Sequence, residues 1–235
     1  MKKKLLCILI AVAVFIPCAA SVNAEQTSLD LLGVDFLDQC TFFGESTTAH
    51  LKQRSALRPE QVWTTASGTA RLDSNLANRP ILDPKTNQSA TPVELAKRDQ
   101  PQYMVLSFGL NGIAEFSKAP DNYLAKYQKL IDALKEVSPN TCFFIQSIYP
   151  VARDSLQKNW QFYASPTEIN QRIELLNQSL KSYFSQHSQV YFVDTSCNLK
   201  NSNGFLRDKF TTDGIHLTAA AYEVILEEFR LYGYE

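Results

Sequence analysis

Residues 103–148 read YMVLSFGLNGIAEFSKAPDNYLAKYQKLIDALKEVSPNTCFFIQSI. Tyr103 to Phe108 is apolar almost throughout, and so is Cys142 to Ile148. Between them, Leu124, Tyr127, Leu130, Ile131 and Leu134 recur at the spacing of one helical face, which predicts a helix over Asp121 to Val137. A strand that alternates apolar and polar residues has one wet face. These two do not alternate, so both of their faces are covered, as in a parallel sheet with helices on either side.

The rest of the chain repeats this unit. Thr41-Phe42-Phe43 is a short strand ending in Gly44, followed by a helix-like stretch from Thr47 to Arg54. Gln61 to Ala66 reads as a second strand. Residues 73–101 hold Pro80, Pro84, Pro92 and Pro101 and read mostly as loop, with a short helix near Val93 to Arg98. Ile169, Ile173, Leu176, Leu180 and Phe184 form the apolar side of a helix over Thr167 to Phe184. Val190 to Val193 is the last strand and Leu217 to Leu231 the last helix, while Asp30 to Asp38 forms a short helix ahead of the first strand. The expected fold is one α/β domain over residues 25–235: a three-layer α/β/α sandwich, flavodoxin-like, around a five-stranded parallel sheet.

The first residues belong to an address. Lys2, Lys3 and Lys4 precede an apolar run of 16 residues, Leu5 to Ala20, and then Ser21-Val22-Asn23-Ala24 with small residues at the A-x-A-like positions. This is the pattern of a secretory signal peptide cut after Ala24. The run falls short of the ~20 residues of a spanning helix and contains Pro17, so no stable membrane insertion is expected after cleavage and the mature protein is placed outside the cytoplasm.

Composition narrows the function. Of 235 residues, 45% are hydrophobic and 20% charged, which excludes a disordered chain. Removing residues 1–24 takes three Lys and no acid, leaving 20 basic against 24 acidic residues. Such a surface has no footprint for nucleic acid. Cys40, Cys142 and Cys197 survive the cut, an odd number in no zinc-binding pattern. Buried free thiols are expected, with a single disulfide left open. No metal or cofactor is implied.

In parallel sheets chemistry sits beyond the carboxyl ends of the strands. Gly44-Glu45-Ser46 follows the first strand and places a Ser hydroxyl near a helix N-terminus, where negative charge is favoured. Thr48 stands where the G-x-S-x-G elbow needs Gly, so that motif is excluded. Ser67-Gly68-Thr69 follows the second strand, and Gly109-Leu110-Asn111-Gly112 the third, with an amide able to stabilise an oxyanion. Asp213-Gly214-Ile215-His216 opens the last helix and sets a carboxylate beside an imidazole. Singly, each has a plainer reading: a capping Ser, a turn Gly, a turn Asn, a capping Asp beside a surface His. Together they supply nucleophile, base, orienter and oxyanion donors. His50, one turn past Ser46, reads as a helix-surface residue. Tyr149, Arg153 and Trp160 lie in the segment after the fourth strand and are expected to overhang the site as a substrate loop.

The set resembles the SGNH hydrolases, also called GDSL esterases and lipases. Gly44-Glu45-Ser46 matches the family's Gly-Asp-Ser block, Gly68 the glycine of its second block, Gly109-Leu110-Asn111 its Gly-x-Asn, and Asp213-Gly214-Ile215-His216 its Asp-x-x-His. Glu45 departs from the family's Asp. The resemblance implies Ser46 as nucleophile, His216 as base, Asp213 as orienter, and Ser46 N–H, Gly68 N–H and the Asn111 amide as the oxyanion hole. It implies an acyl-enzyme and needs no cofactor. The expected substrate is a small-molecule or glycan acyl ester, with short O-acetyl esters of extracellular carbohydrate ahead of lipase, lysophospholipase or thioesterase activity. An acyltransferase using the same acyl-enzyme and a catalytically silent binding module are the other readings.

Overall fold

The computed structural model describes residues 36–159 and 164–234. The expected signal peptide and the first part of the expected Asp30 to Asp38 helix lie outside them. The remaining turn, Phe36–Gln39, is a tight 3-10 helix instead of an α-helix.

Five parallel strands form the central sheet: β1 (Cys40–Gly44), β2 (Val62–Trp63), β5 (Tyr103–Ser107), β6 (Cys142–Gln146) and β7 (Val190–Val193). Their order is β2-β1-β5-β6-β7. Phe42 pairs with Val105, Val105 with Phe144, and Phe144 with Tyr191. The pleat sends successive side chains to opposite faces. Phe43, Met104, Leu106, Phe143 and Ile145 enter one core. Cys40, Phe42, Val105 and Phe144 enter the other.

Each core is closed by the apolar stripe of a helix. α5 (Pro120–Val137) lays Tyr123, Tyr127, Leu130, Ile131 and Leu134 on the first face, beside α7 (Pro166–Phe184), which contributes Ile173, Leu176, Leu180 and Phe184. α8 (Ala219–Tyr234) covers the second with Tyr222, Ile225, Leu226 and Phe229. Side chains of this size contribute about 1.5–3 kcal/mol each when fully buried. The result is the expected three-layer α/β/α sandwich.

Boundaries shift where tertiary contacts interrupt a pattern. The second strand stops at Trp63 because Thr64 leaves the parallel ladder and accepts from Leu82 N–H (3.1 Å). Leu82 belongs to a small antiparallel hairpin, β3 (Ile81–Leu82) and β4 (Ser89–Ala90), inside the stretch read as loop. β6 ends before Ile148, whose N–H and carbonyl are both taken by the Asn177 side chain (2.8 Å each). α3 (Pro92–Asp99) fills the expected short helix, capped by Thr91 and Glu94 in a reciprocal pair. Cys40 is buried, Cys142 half-buried and Cys197 exposed, so burial holds for one of them only. No helix among the described residues is long and apolar enough to cross a membrane.

Candidate active site

Three strand ends and one pre-helical loop build the site. β1 closes at Gly44, Glu45 stays extended, and the chain turns into α1 (Ser46–Ala49) at Ser46. Gly44 is required by space: a Cβ there would run into the Thr48 side chain and stand 2.5 Å from the Ser107 carbonyl of β5. Because α1 starts at Ser46, the first N–H groups of the turn lack intrahelical acceptors and point where an anion would be held. A second short helix, α2 (Leu51–Arg54), continues after His50.

Glu45 is buried, 4% exposed, and reaches across to the turn after β5. Its Oε1 accepts from Leu110 N–H and its Oε2 from Asn111 N–H, both at 2.9 Å. The residue before Ser46 therefore clamps the Asn111 turn. Burial pushes the Glu45 carboxyl up to about 7, against the opposing pull of the Asn111, Leu110 and Gly109 N–H groups and of Arg71. The Asn111 amide donates weakly to Ala70 O (3.4 Å). Behind it, Tyr123 and Tyr127 both donate to Phe108 O (2.7 and 3.2 Å) and fix the end of β5.

Asp213 and His216 stand in the loop before α8, which starts at Ala219 and not at Leu217 because Thr211 and Leu217 form an antiparallel bridge that holds the loop irregular. Asp213 Oδ1 accepts from the N–H groups of Ile215 (2.9 Å) and His216 (2.8 Å), while Oδ2 meets His216 Nδ1 at 2.6 Å. Burial works against the Asp213 charge, but the Ile215 and His216 contacts outweigh it and hold the carboxyl below its ordinary range. With Nδ1 bound to a carboxylate, His216 keeps Nε2 as its basic nitrogen. Arg54 Nη1 donates to Leu217 O (2.6 Å) and ties this loop to the helices that follow Ser46.

Ser46, Gly68 and His216 line one cleft of about 460 Å³, together with His50, Thr64 and Thr65. His50 faces this cleft instead of open solvent; its ring stands 4.8 Å from that of His216, centroid to centroid. Sequence periodicity put His50 on the face of Ser46 but could not show what stands opposite. The Gly68 N–H, expected as an oxyanion donor, donates to Thr65 O (2.8 Å) and closes a turn. Tyr149 is 4% exposed and packs in the core of the α8 face, among Phe144 and Ala152, so its ring does not overhang the cleft. Arg153 is exposed and its guanidinium lies over the Phe205 ring at 5.6 Å. Trp160 falls outside the described residues.

A family model described as GDSL-like lipase/acylhydrolase matches residues 42–224. No curated protein sequence matches the chain. Among solved structures, a protein from Streptococcus pneumonia provisionally called a platelet activating factor superposes with a TM-score of 0.58 at 23% identity, over 91% of each chain. A GDSL-like lipase from Bacteroides thetaiotaomicron gives 0.50 at 16%, over 90% of this chain and 97% of that one. A family 3 carbohydrate esterase from Talaromyces cellulolyticus gives 0.51 at 13%, over 82% and 94%. At these identities the likeness is one of fold.

Proposed function

The chain belongs to the GDSL-like lipase/acylhydrolase family and is a hydrolase of ester bonds, and we propose that it is an exported serine esterase acting on short acyl esters of carbohydrate. One observation carries the mechanism: an Asp213–His216 pair, bonded at 2.6 Å, shares its cleft with a Ser at the first position of a helix. Ser46 Oγ attacks the ester carbonyl and His216 Nε2 takes its proton. Asp213 holds the ring in place through Nδ1. The tetrahedral oxyanion is assigned to Ser46 N–H and the Asn111 amide, whose bond to Ala70 O is long enough to give up (3.4 Å). Gly68 N–H joins only if its turn to Thr65 O opens. His216 then protonates the leaving alcohol, and the acyl-enzyme is released by water.

Export rests on Lys2 to Lys4, the apolar run and the small residues before Glu25. The carbohydrate ester is supported by the cleft lining, in which Thr, Ser, Gln, Lys and His residues outnumber the apolar Ala49, Ala66 and Leu82. Hydrolysis of p-nitrophenyl acetate, butyrate and palmitate by residues 25–235 tests both parts. Acetate is expected to be the best substrate, and Ser46→Ala is expected to lose at least about 10³-fold in kcat. Equal rates in both proteins would remove Ser46 as nucleophile. A preference for palmitate would overturn the carbohydrate reading.

A further inference from the structure

His50 has no role in the mechanism above, yet it stands beside it. Its backbone N–H donates to Ser46 O (3.1 Å), so it sits one turn above the nucleophile. Its ring is edge-on to His216, with an interplanar angle of 62°. It is not a second base, since Asp213, the carboxylate that favours its charge, is already bonded to His216.

Two features define what the ring offers. Nδ1 is enclosed and has no hydrogen-bond partner among the described residues. A proton there would be a buried donor with no acceptor, so the proton of the neutral ring belongs on Nε2. The ring is also held neutral: burial first, then the Arg54 guanidinium and His216, oppose its charge, and only Asp213 favours it. A neutral His50 leaves the imidazolium of His216 free to form during turnover. What remains is an N–H donor on a side chain that lines the cleft.

The same cleft is lined by a row of hydroxyls. Ser67 Oγ lies 3.2 Å from Thr65 Oγ1 and 2.7 Å from Thr69 Oγ1, and Lys52 and Gln53 complete the rim. The His50 donor, the Lys52 ammonium two residues on and the hydroxyls of Thr65, Ser67 and Thr69 suit an alcohol rich in oxygen atoms. Resting on the esterase reading above, we propose that His50 is a substrate-binding residue: its Nε2–H donates to an oxygen of a sugar that carries the ester, and Thr65, Ser67, Thr69 and Lys52 form the rest of that sugar subsite.

The test uses two esters with one acyl group and different alcohols: p-nitrophenyl acetate, and glucose monoacetate acetylated at its primary hydroxyl. Acetate release gives kcat and KM for each on residues 25–235, on His50→Phe and on His50→Gln. His50→Phe keeps a ring and removes the donor. It is expected to lower the ratio of kcat/KM, sugar ester over aryl ester, by about tenfold, mostly through KM, which is the worth of one neutral hydrogen bond. His50→Gln restores a donor and is expected to recover most of that ratio. An unchanged ratio in His50→Phe overturns the proposal. So does an equal loss on both esters with a displaced pH profile, which would make His50 a support of His216. Cleavage of the aryl ester alone by the wild type overturns the sugar subsite and leaves the esterase intact, whereas Ser46-independent acetate release from both esters overturns the esterase reading itself.

Discussion

At the scale of single residues, Glu45 joins the turn of Ser46, the proposed nucleophile, to the turn of Asn111, the proposed oxyanion donor. Its two oxygens hold Leu110 N–H and Asn111 N–H at 2.9 Å each, and these bonds are strongest when the carboxylate is ionised. Burial lifts its pKa from the ordinary 4.5 to about 7. A raised pKa means that Glu45 contributes most to stability below its unfolded value and that this contribution is lost as pH rises through about 7. Activity and stability therefore pull in opposite directions across that interval: the acid form suits the fold, the ionised form suits the clamp. Glu45→Gln keeps one acceptor but turns an NH₂ toward the other backbone N–H. Leaving that N–H unsatisfied costs roughly 1–3 kcal/mol, and kcat is expected to fall at least about tenfold. Plotted against pH, the acid limb of wild-type kcat/KM should show two ionisations, and that of Glu45→Gln only one. Identical limbs would mean that Glu45 does not titrate in the working range. Glu45 was legible as a departure from Gly-Asp-Ser. Its reach to Leu110 and Asn111 was not, because that contact depends on how β1 and β5 pair.

At the scale of elements, the strand–helix–strand run of residues 103–148 was readable because its apolar spacing is local. α5 lies within a residue of expectation, and Val190–Val193 is as read. Elements whose ends are set from afar were not readable. The second strand is cut short by a bridge to Leu82, and the last helix is delayed by the Thr211 to Leu217 bridge. Leu82 is far from Thr64 in sequence, whereas Thr211 and Leu217 are close but form a bridge that no apolar period announces. The turn that carries Asn111 depends on one such distant contact. Gly109 has φ +138°, and a Cβ there would stand 2.5 Å from Tyr123 Oη, the hydroxyl that holds Phe108 O. Gly109→Ala combines a strained backbone with loss of that anchor. It is expected to lower stability by about 2–4 kcal/mol and to cut activity further than the stability loss explains. Urea unfolding and kcat on p-nitrophenyl acetate, measured together, separate the two effects. An active Gly109→Ala of wild-type stability would show that the turn tolerates displacement.

At the scale of the molecule, residues far apart in sequence meet because a parallel sheet gathers its strand ends along one edge. That rule made Ser46, Gly68, Asn111, Asp213 and His216 legible as candidates. It says nothing about which N–H is already engaged, and so could not foresee the Gly68 turn, the burial of Tyr149 or the pairing of His50 with His216. It also leaves the long connection from β2 to β5 unassigned, although Thr64 to Thr69 of that connection wall the cleft. An ion pair with a buried carboxylate helps to fasten this connection. Asp83 is 3% exposed and is held by Arg98 of α3 through two bonds, 2.5 and 3.1 Å, with Lys85 N–H and Thr86 Oγ1 as further donors. The Arg98 fork, opposed by burial and aided by Lys85 and Thr86, holds the Asp83 carboxyl well below the carboxylate range. A depressed pKa means that this contribution is fully present above the unfolded Asp value, about 3.9, and is lost as pH falls below it. Removing one partner of a buried pair typically costs about 3–5 kcal/mol; because the Arg98 side chain is 40% exposed, Arg98→Met is expected to cost about 2–3 kcal/mol at pH 7. The gap to the wild type should narrow below about pH 4, where Asp83 is protonated in the unfolded chain. Urea unfolding of both proteins along a pH series reads this directly, and a gap that stays constant into acid would show that Arg98 acts through packing of its aliphatic stem instead of its charge.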